Sequence, residues 1–162
     1  MSPVLQSLHP EGKEIAPGLH WLGSYGVTKV KDVTIAYFNH NHWEGPSNEA
    51  TINTFIEKCK GRRIDILLTN AWSKEAKEIS KQSNPKTEDY IGRLAYALNP
   101  HYHLAAGGNE FYRMQPYLNS DGLLGHFISV APYEEPPKGK YLFGLTITPA
   151  QEEIPTTVTN FI

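Results

Sequence analysis

From residue 19 onward, strand-like apolar runs alternate with one-sided helical stripes, and the order of the two sets the expected fold class. Leu19-His20-Trp21-Leu22-Gly23 reads as a short strand, Ser24-Tyr25-Gly26 as a turn, and residues 27–30 as a return beside that first strand. Residues 33–38, rich in β-branched and aromatic side chains, predict a well-buried strand. A loop follows at Gly45-Pro46, and Ser47 or Asn48 is placed to cap a helix. In that helix Ile52, Phe55, Ile56 and Cys59 recur at helical spacing, and Gly61 is placed to end it. Residues 64–69 form a continuous apolar run of the kind buried on both sheet faces. A second helix over 88–98 turns Ile91, Leu94, Ala95 and Leu98 inward and stops at Asn99-Pro100, and residues 101–106 give the next strand.

Between these elements, residues 73–85 are charged and polar without an apolar face, and predict a long, mobile surface excursion. Beyond Gly107-Gly108-Asn109 only strands are expected, at 110–114, 125–130 and 141–148, separated by Asp121-Gly122 and a Pro-rich stretch at 134–139. Helices alternating with apolar strands, then strands alone, predict a layered α/β domain whose C-terminal half is antiparallel and β-rich. The domain is expected over residues 19–149, between an irregular leading segment (1–18) and an irregular tail (150–162).

At 162 residues the chain is about one domain long, and 40% hydrophobic residues suffice for one core. Fifteen basic and seventeen acidic residues leave a formal net charge of −2, which excludes the broad basic field of non-specific nucleic-acid binding. A single cysteine, Cys59, cannot form an internal disulfide, and no charged-then-apolar leader is visible, so an intracellular, reducing compartment is expected. Cys59 lies in the helical stripe and reads as a buried structural thiol. The longest apolar runs fall far short of the roughly 20 residues of a membrane helix, so no membrane association is expected.

Seven histidines raise a metal hypothesis, and two pairs, His40 with His42 and His101 with His103, have the i, i+2 spacing that shares one strand face. Two ligands do not make a site. The first pair reads as loop polarity, and the second as hydrogen-bonded core histidine. Thr69-Asn70-Ala71-Trp72 follows a buried strand, where α/β enzymes place functional residues, although a capping Asn beside a core Trp explains it equally. Gly107-Gly108-Asn109 lacks the spacing of a phosphate loop and reads as a plain turn. Arg113, Lys138 and Lys140, interleaved with Tyr112, Tyr117 and other aromatics, give a candidate single-stranded RNA or partner surface, against the plainer reading of cross-strand core pairs.

Four segments in order, at 64–72, 100–105 (Pro-His-Tyr-His-Leu-Ala), 111–119 (Phe-Tyr-Arg-Met-Gln-Pro-Tyr-Leu-Asn) and 138–149, resemble the second half of the N-terminal domain of CwfJ (CWF nineteen-like) splicing factors. That domain is similar to calcineurin-like metallophosphoesterases and to lariat debranching enzyme, so the resemblance implies a metallophosphatase-like sandwich lacking its first strands here. In active relatives two metal ions activate a hydroxide and clamp the phosphate. The resemblance places Asn70 where those enzymes carry one ligand histidine, and Gly107 and Asn109 where they carry two more. Glycine offers no ligand and an amide is a poor substitute for imidazole, so no metal, no cofactor and no catalytic residue is expected. The resemblance implies a nuclear, non-catalytic protein of post-splicing intron-lariat complexes. It would support debranching through protein contacts, with debranching enzyme a candidate partner and residues 73–85 and 112–119 the candidate contact segments. Two rival readings are a divergent manganese or zinc phosphodiesterase using His40, His42, His101 or His103, and an RNA-binding module.

Overall fold

The computed structural model describes residues 12–39, 49–81, 85–133 and 139–149. Its centre is a seven-stranded sheet in the order β3-β4-β5-β6-β9-β7, with β8 also paired to β9. Strand β4 (Val33–Phe38) leads through helix α1 (Glu49–Cys59) to β5 (Ile66–Thr69). From β5 the chain passes through α2 (Lys74–Ser80) and α3 (Asp89–Leu98) to β6 (Tyr102–Ala105). Both crossovers join parallel strands, as the alternating pattern predicts. The C-terminal half adds β7 (Tyr112–Arg113), β8 (Tyr117–Leu118) and β9 (Leu124–Ser129).

Helices α1 and α3 lie on one sheet face. Ile52, Phe55 and Cys59 of α1 and Tyr90, Ile91, Leu94 and Leu98 of α3 bury against Ala36, Phe38 and Leu67. Asn99 ends α3 in the left-handed region, its N–H bonded to the Ala95 carbonyl, and Gly61 follows α1 at φ 71°. Burial pushes the Cys59 thiol up to about 11, in keeping with a structural thiol. Among the described residues no helix is long and apolar enough to cross a membrane.

The opposite face is different. Its register runs Tyr37, Leu68, Leu104, Ile128 in one row and Ile35, Ile66, Tyr102, His126 in the next. Ile66 and Ile128 are buried, but Ile35, Tyr37, Leu68 and Leu104 are only half-buried. The run at 64–69 is therefore fully covered on the helix side, while on the opposite face Ile66 is buried and Leu68 is half-buried.

Several expectations are corrected. Residues 13–16, expected to be irregular, form β1 (Lys13–Ala16), which pairs antiparallel with β2 (Leu19–Trp21) in a separate two-stranded sheet. Residues 27–30 do not return beside β2. They belong to β3 (Tyr25–Val30), whose six-residue register with β4 provides a longer ladder and buries more side chains. The 73–85 excursion contains α2. Ser73 caps it by accepting from the Ala76 N–H at 3.1 Å, and a seven-residue helix that buries only Ala76 leaves no apolar stripe to read. The C-terminal half is not a purely antiparallel array, because β9 lies parallel to β6 and only β7 and β8 run antiparallel to it. Residues 141–148 form no ladder. The expected caps Ser47 and Asn48 and the tail from residue 150 lie outside the described residues.

Leu67 is fully buried beneath both helices, so Leu67→Ala should cost about 2–5 kcal/mol, read as a lowered urea midpoint with unchanged slope. Ser73→Ala, which deletes only the α2 cap, should cost about 1 kcal/mol in the same assay.

Candidate functional site

The carboxyl ends of β5 and β6 bring two of the three singled-out positions together. Asn70 follows β5 and Gly107 follows β6 at φ 90°. A Cβ built on Gly107 would stand 3.2 Å from the Asn70 carbonyl oxygen and 3.0 Å from Lys86 Cβ. A larger residue there meets both backbone strain and crowding. Gly108 is tighter still, since its Cβ would fall 2.8 Å from the Trp72 ring and 2.8 Å from Ser129 Oγ. The turn lets the chain close over Trp72, which is fully buried with Nε1 3.3 Å from Ser129 Oγ. Asn109 is exposed beyond it.

Beside this turn lies a cavity of about 460 Å³, walled by Leu68, Leu104, Ile128, Val130, Phe143 and Leu145 among others, with Thr69 the one polar side chain in its wall among the described residues. The Thr69 hydroxyl is committed. It donates to the Ala71 carbonyl at 2.8 Å and lies 2.9 Å from His103 Nε2. A hydroxyl has one proton, so Nε2 must be the donor in the second bond, which fixes the His103 tautomer. His103 is 2% exposed, its ring edge-on to Phe127, and burial lowers its pKa from 6.5 to about 4. It is the hydrogen-bonded core histidine that the residue pattern suggests.

His101 and His103 are not brought to one ion. His101 packs instead on Tyr102 and His126, with ring centroids 4.3 and 5.5 Å away. Burial lowers the pKa of His101 and of His126, and the nearby His101 and Arg113 lower His126 further. Among the described residues no group of three His, Cys, Asp or Glu side chains is placed to hold a metal. His40 and His42 lie outside the described residues.

Tyr112 and Arg113, adjacent candidates, lie on opposite sheet faces. Tyr112 stacks on Trp72 at 5.5 Å on the helix side. Arg113, the next residue along β7, points to the other face in register with Ile128. Lys140 sits over the rings of Phe111 and Phe143 at 4.2 and 4.6 Å, and Lys138 lies outside the described residues. The two candidate contact segments, in contrast, do meet. Ala76 and Ile79 of α2 and Ala95 and Tyr96 of α3 face Met114 and Tyr117 across a groove of about 600 Å³. Burial raises the Tyr117 pKa there. The sequence reading missed Ile79, Tyr96 and the Thr69–His103 pair. A Ser cap before Lys-Glu-Ala-Lys-Glu was the signal available for α2.

The architecture is that of a mixed α/β domain, one sheet face carrying the helices. The chain is 29% identical to CWF19-like protein 1 of Xenopus laevis over 163 residues and 28% identical to that of Mus musculus over 161, covering 86% of this chain in each case. It is 28% identical to CWF19-like protein mug161 of Schizosaccharomyces pombe over 174 residues, covering 93% of this chain. These similarities support the CwfJ family. The chain spans 30% of the length of each of these curated relatives. No protein-family model matches it.

His103 makes a pH prediction with a definite sign. Below pH 6.5 the unfolded chain takes up a proton that folded His103 refuses down to about pH 4, so stability falls as pH drops through that window. The loss should approach about 3 kcal/mol from His103, and His101 and His126, depressed in the same sense, add to it. Urea unfolding of His103→Phe should show a shallower slope between pH 6.5 and 4 than the parent chain.

Proposed function

We propose that this chain is part of a degenerate metallophosphoesterase-like domain that acts in pre-mRNA splicing without catalysis of its own. The observation that carries this reading is the wall of the strand-end cavity. In α/β proteins this end of the sheet is where ligands are held, and here it offers hydrocarbon and a Thr hydroxyl already engaged at both ends. A divalent cation needs charged or imidazole donors in such a place, and Gly107 leaves no room for one without moving Asn70 or Lys86.

The sandwich reading has separate support. A row of half-buried apolar residues, Tyr37, Leu68 and Leu104, crosses the centre of the sheet opposite the helices. Central strands left half-covered are the face against which a second β layer packs in a layered domain. The similarity to CWF19-like proteins supports a role in splicing, hence in the nucleus, with spliceosomal or intron-lariat proteins as partners and lariat debranching as the step assisted. The groove between α2 and residues 114–120 is the surface through which such contact would be made.

Affinity purification of the tagged chain from nuclear extract should recover late spliceosomal proteins or debranching enzyme, and ribonuclease should not release them. Recovery of no splicing protein by well-folded bait would sink the reading. The purified chain, offered manganese or zinc, should retain no stoichiometric metal and hydrolyse no phosphodiester. Retained metal with hydrolysis abolished by His103→Ala would establish the enzyme reading instead.

A further inference from the structure

The sheet face opposite the helices carries a cluster of titratable side chains at the amino end of β6, and none of them lines either cavity. His101 stands just before that strand, its N–H donated to the Ile64 carbonyl and its carbonyl accepting from the His126 N–H at 2.9 Å. These backbone bonds hold the two imidazoles together, with ring centroids 5.5 Å apart. Tyr102 packs on both, 4.3 Å from His101 and stacked on His126 at 5.0 Å. Arg113 comes to the same face from β7, because it pairs with Ile128 and strand alternation puts Ile128 and His126 on one side.

The cluster has donors to spare. Among the described residues neither imidazole is hydrogen-bonded through its ring, and no carboxylate pairs with the exposed Arg113 guanidinium. His126 Nδ1 is buried without a partner, which leaves Nε2 as the nitrogen that an incoming group can reach. At 5.5 Å between ring centroids, one tetrahedral oxyanion can accept from both histidines at once. A guanidinium beside them supplies the planar, permanently charged fork that suits phosphate oxygens.

The charges facing the cluster select the sign of the ligand. Beyond burial, Asp65 favours a proton on His101 while Arg63 opposes it, and on His126 both His101 and Arg113 oppose it. Asp65 is the one acidic group in this set, and its carboxylate already accepts from the Thr34 N–H at 2.7 Å. A cation entering here would meet two guanidinium groups and find no third ligand. An anion would meet convergent donors and relieve their mutual repulsion. Half-buried Tyr102 adds an aromatic face beside those donors, on which a base can stack. We propose that His101, His126 and Arg113 form a phosphate-binding site, taking the phosphate of a single-stranded polynucleotide or of a free nucleotide, with Tyr102 beside it.

This site does not depend on the splicing reading, and its test needs neither a splicing protein nor catalysis. The full chain, labelled with ¹⁵N and ¹³C, is titrated with sulfate, a tetrahedral oxyanion whose charge stays constant over the range used, and with uridine monophosphate and a short oligouridylate. Sulfate should move the ring signals of His101 and His126 and leave those of His20, in the separate two-stranded sheet, in place. Its affinity should rise about tenfold from about pH 7.5 to pH 5.5, because the bound anion favours the imidazolium forms. Arg113→Gln, at an exposed position, should weaken sulfate about tenfold at either pH. His126→Gln should remove most of the pH dependence; should that variant not fold, Arg113→Gln and the ring signals of the parent chain decide. Lys29→Gln, exposed on the edge strand β3, should change neither affinity nor pH dependence. An oligouridylate that binds more tightly than the mononucleotide and moves the Tyr102 ring signals supports the site with a polynucleotide as the source, and equal affinity supports it with a free nucleotide. No shift at either histidine with any of the three probes, or binding indifferent to Arg113→Gln, overturns the site.

Discussion

Strand β5 is only four residues long, yet it holds the middle of the sheet because buried polar residues fasten both of its ends. Just before it, Asp65 is 3% exposed and reaches both neighbouring strands. Its carboxylate accepts from the Thr34 N–H at 2.7 Å, its own N–H donates to the Thr34 carbonyl, and its carbonyl accepts from Tyr102. At the far end the Thr69 carbonyl accepts from Ala106, while its hydroxyl joins the Ala71 carbonyl to His103. A buried carboxylate or hydroxyl is costly unless such partners are supplied. Once supplied, they fix the register of β4, β5 and β6 more firmly than interchangeable aliphatic contacts between these strands would.

That register decides what each sheet face presents. Leu67, His103 and Phe127 fall in one row on the helix side, and Leu68, Leu104 and Ile128 in the row on the other. A slip of one residue would exchange the two rows and place His103 on the half-exposed face. Two cavities of different character follow from this arrangement. The strand-end cavity is lined from the second face and, among the described residues, carries one polar side chain, the engaged Thr69. The groove is lined from the helix side, where His103 faces α2 and α3. The Thr69–His103 bond links the two, engaging the hydroxyl in the wall of the first and holding the ring that lines the second.

The turn after β6 is shaped by close backbone approach. Gly108 lies against Trp72 and Ser129, and Gly107 takes a left-handed conformation beside the Asn70 carbonyl. These contacts let Trp72 fill the space between α2 and β9, stacked on Tyr112 and edge-on to Phe127. Tight packing of an indole under a Gly-Gly turn leaves little volume for a metal and its ligands at that position.

Periodicity along the chain by itself determined the parts whose signal is local. Helices α1 and α3, strands β4, β5 and β6, the stop at Asn99, and the buried character of Cys59 and His103 all follow from spacing, capping and composition within about a dozen residues. What only the tertiary structure decided was pairing and direction. A strand pattern does not specify its neighbour, so Val27 to Val30 joined β4 instead of β2, and β9 entered the sheet parallel to β6. Helix α2 stayed hidden because its one buried residue, Ala76, carries no hydrophobic stripe, and its stability comes from the Ser73 cap and the groove it borders. The adjacency of Asn70 and Gly107, and of Ile79 and Met114, spans more than thirty positions in each case. Contacts of that separation are set by how the crossovers pack on the sheet, which is a property of the whole chain's compactness and leaves no mark on the residues that happen to meet.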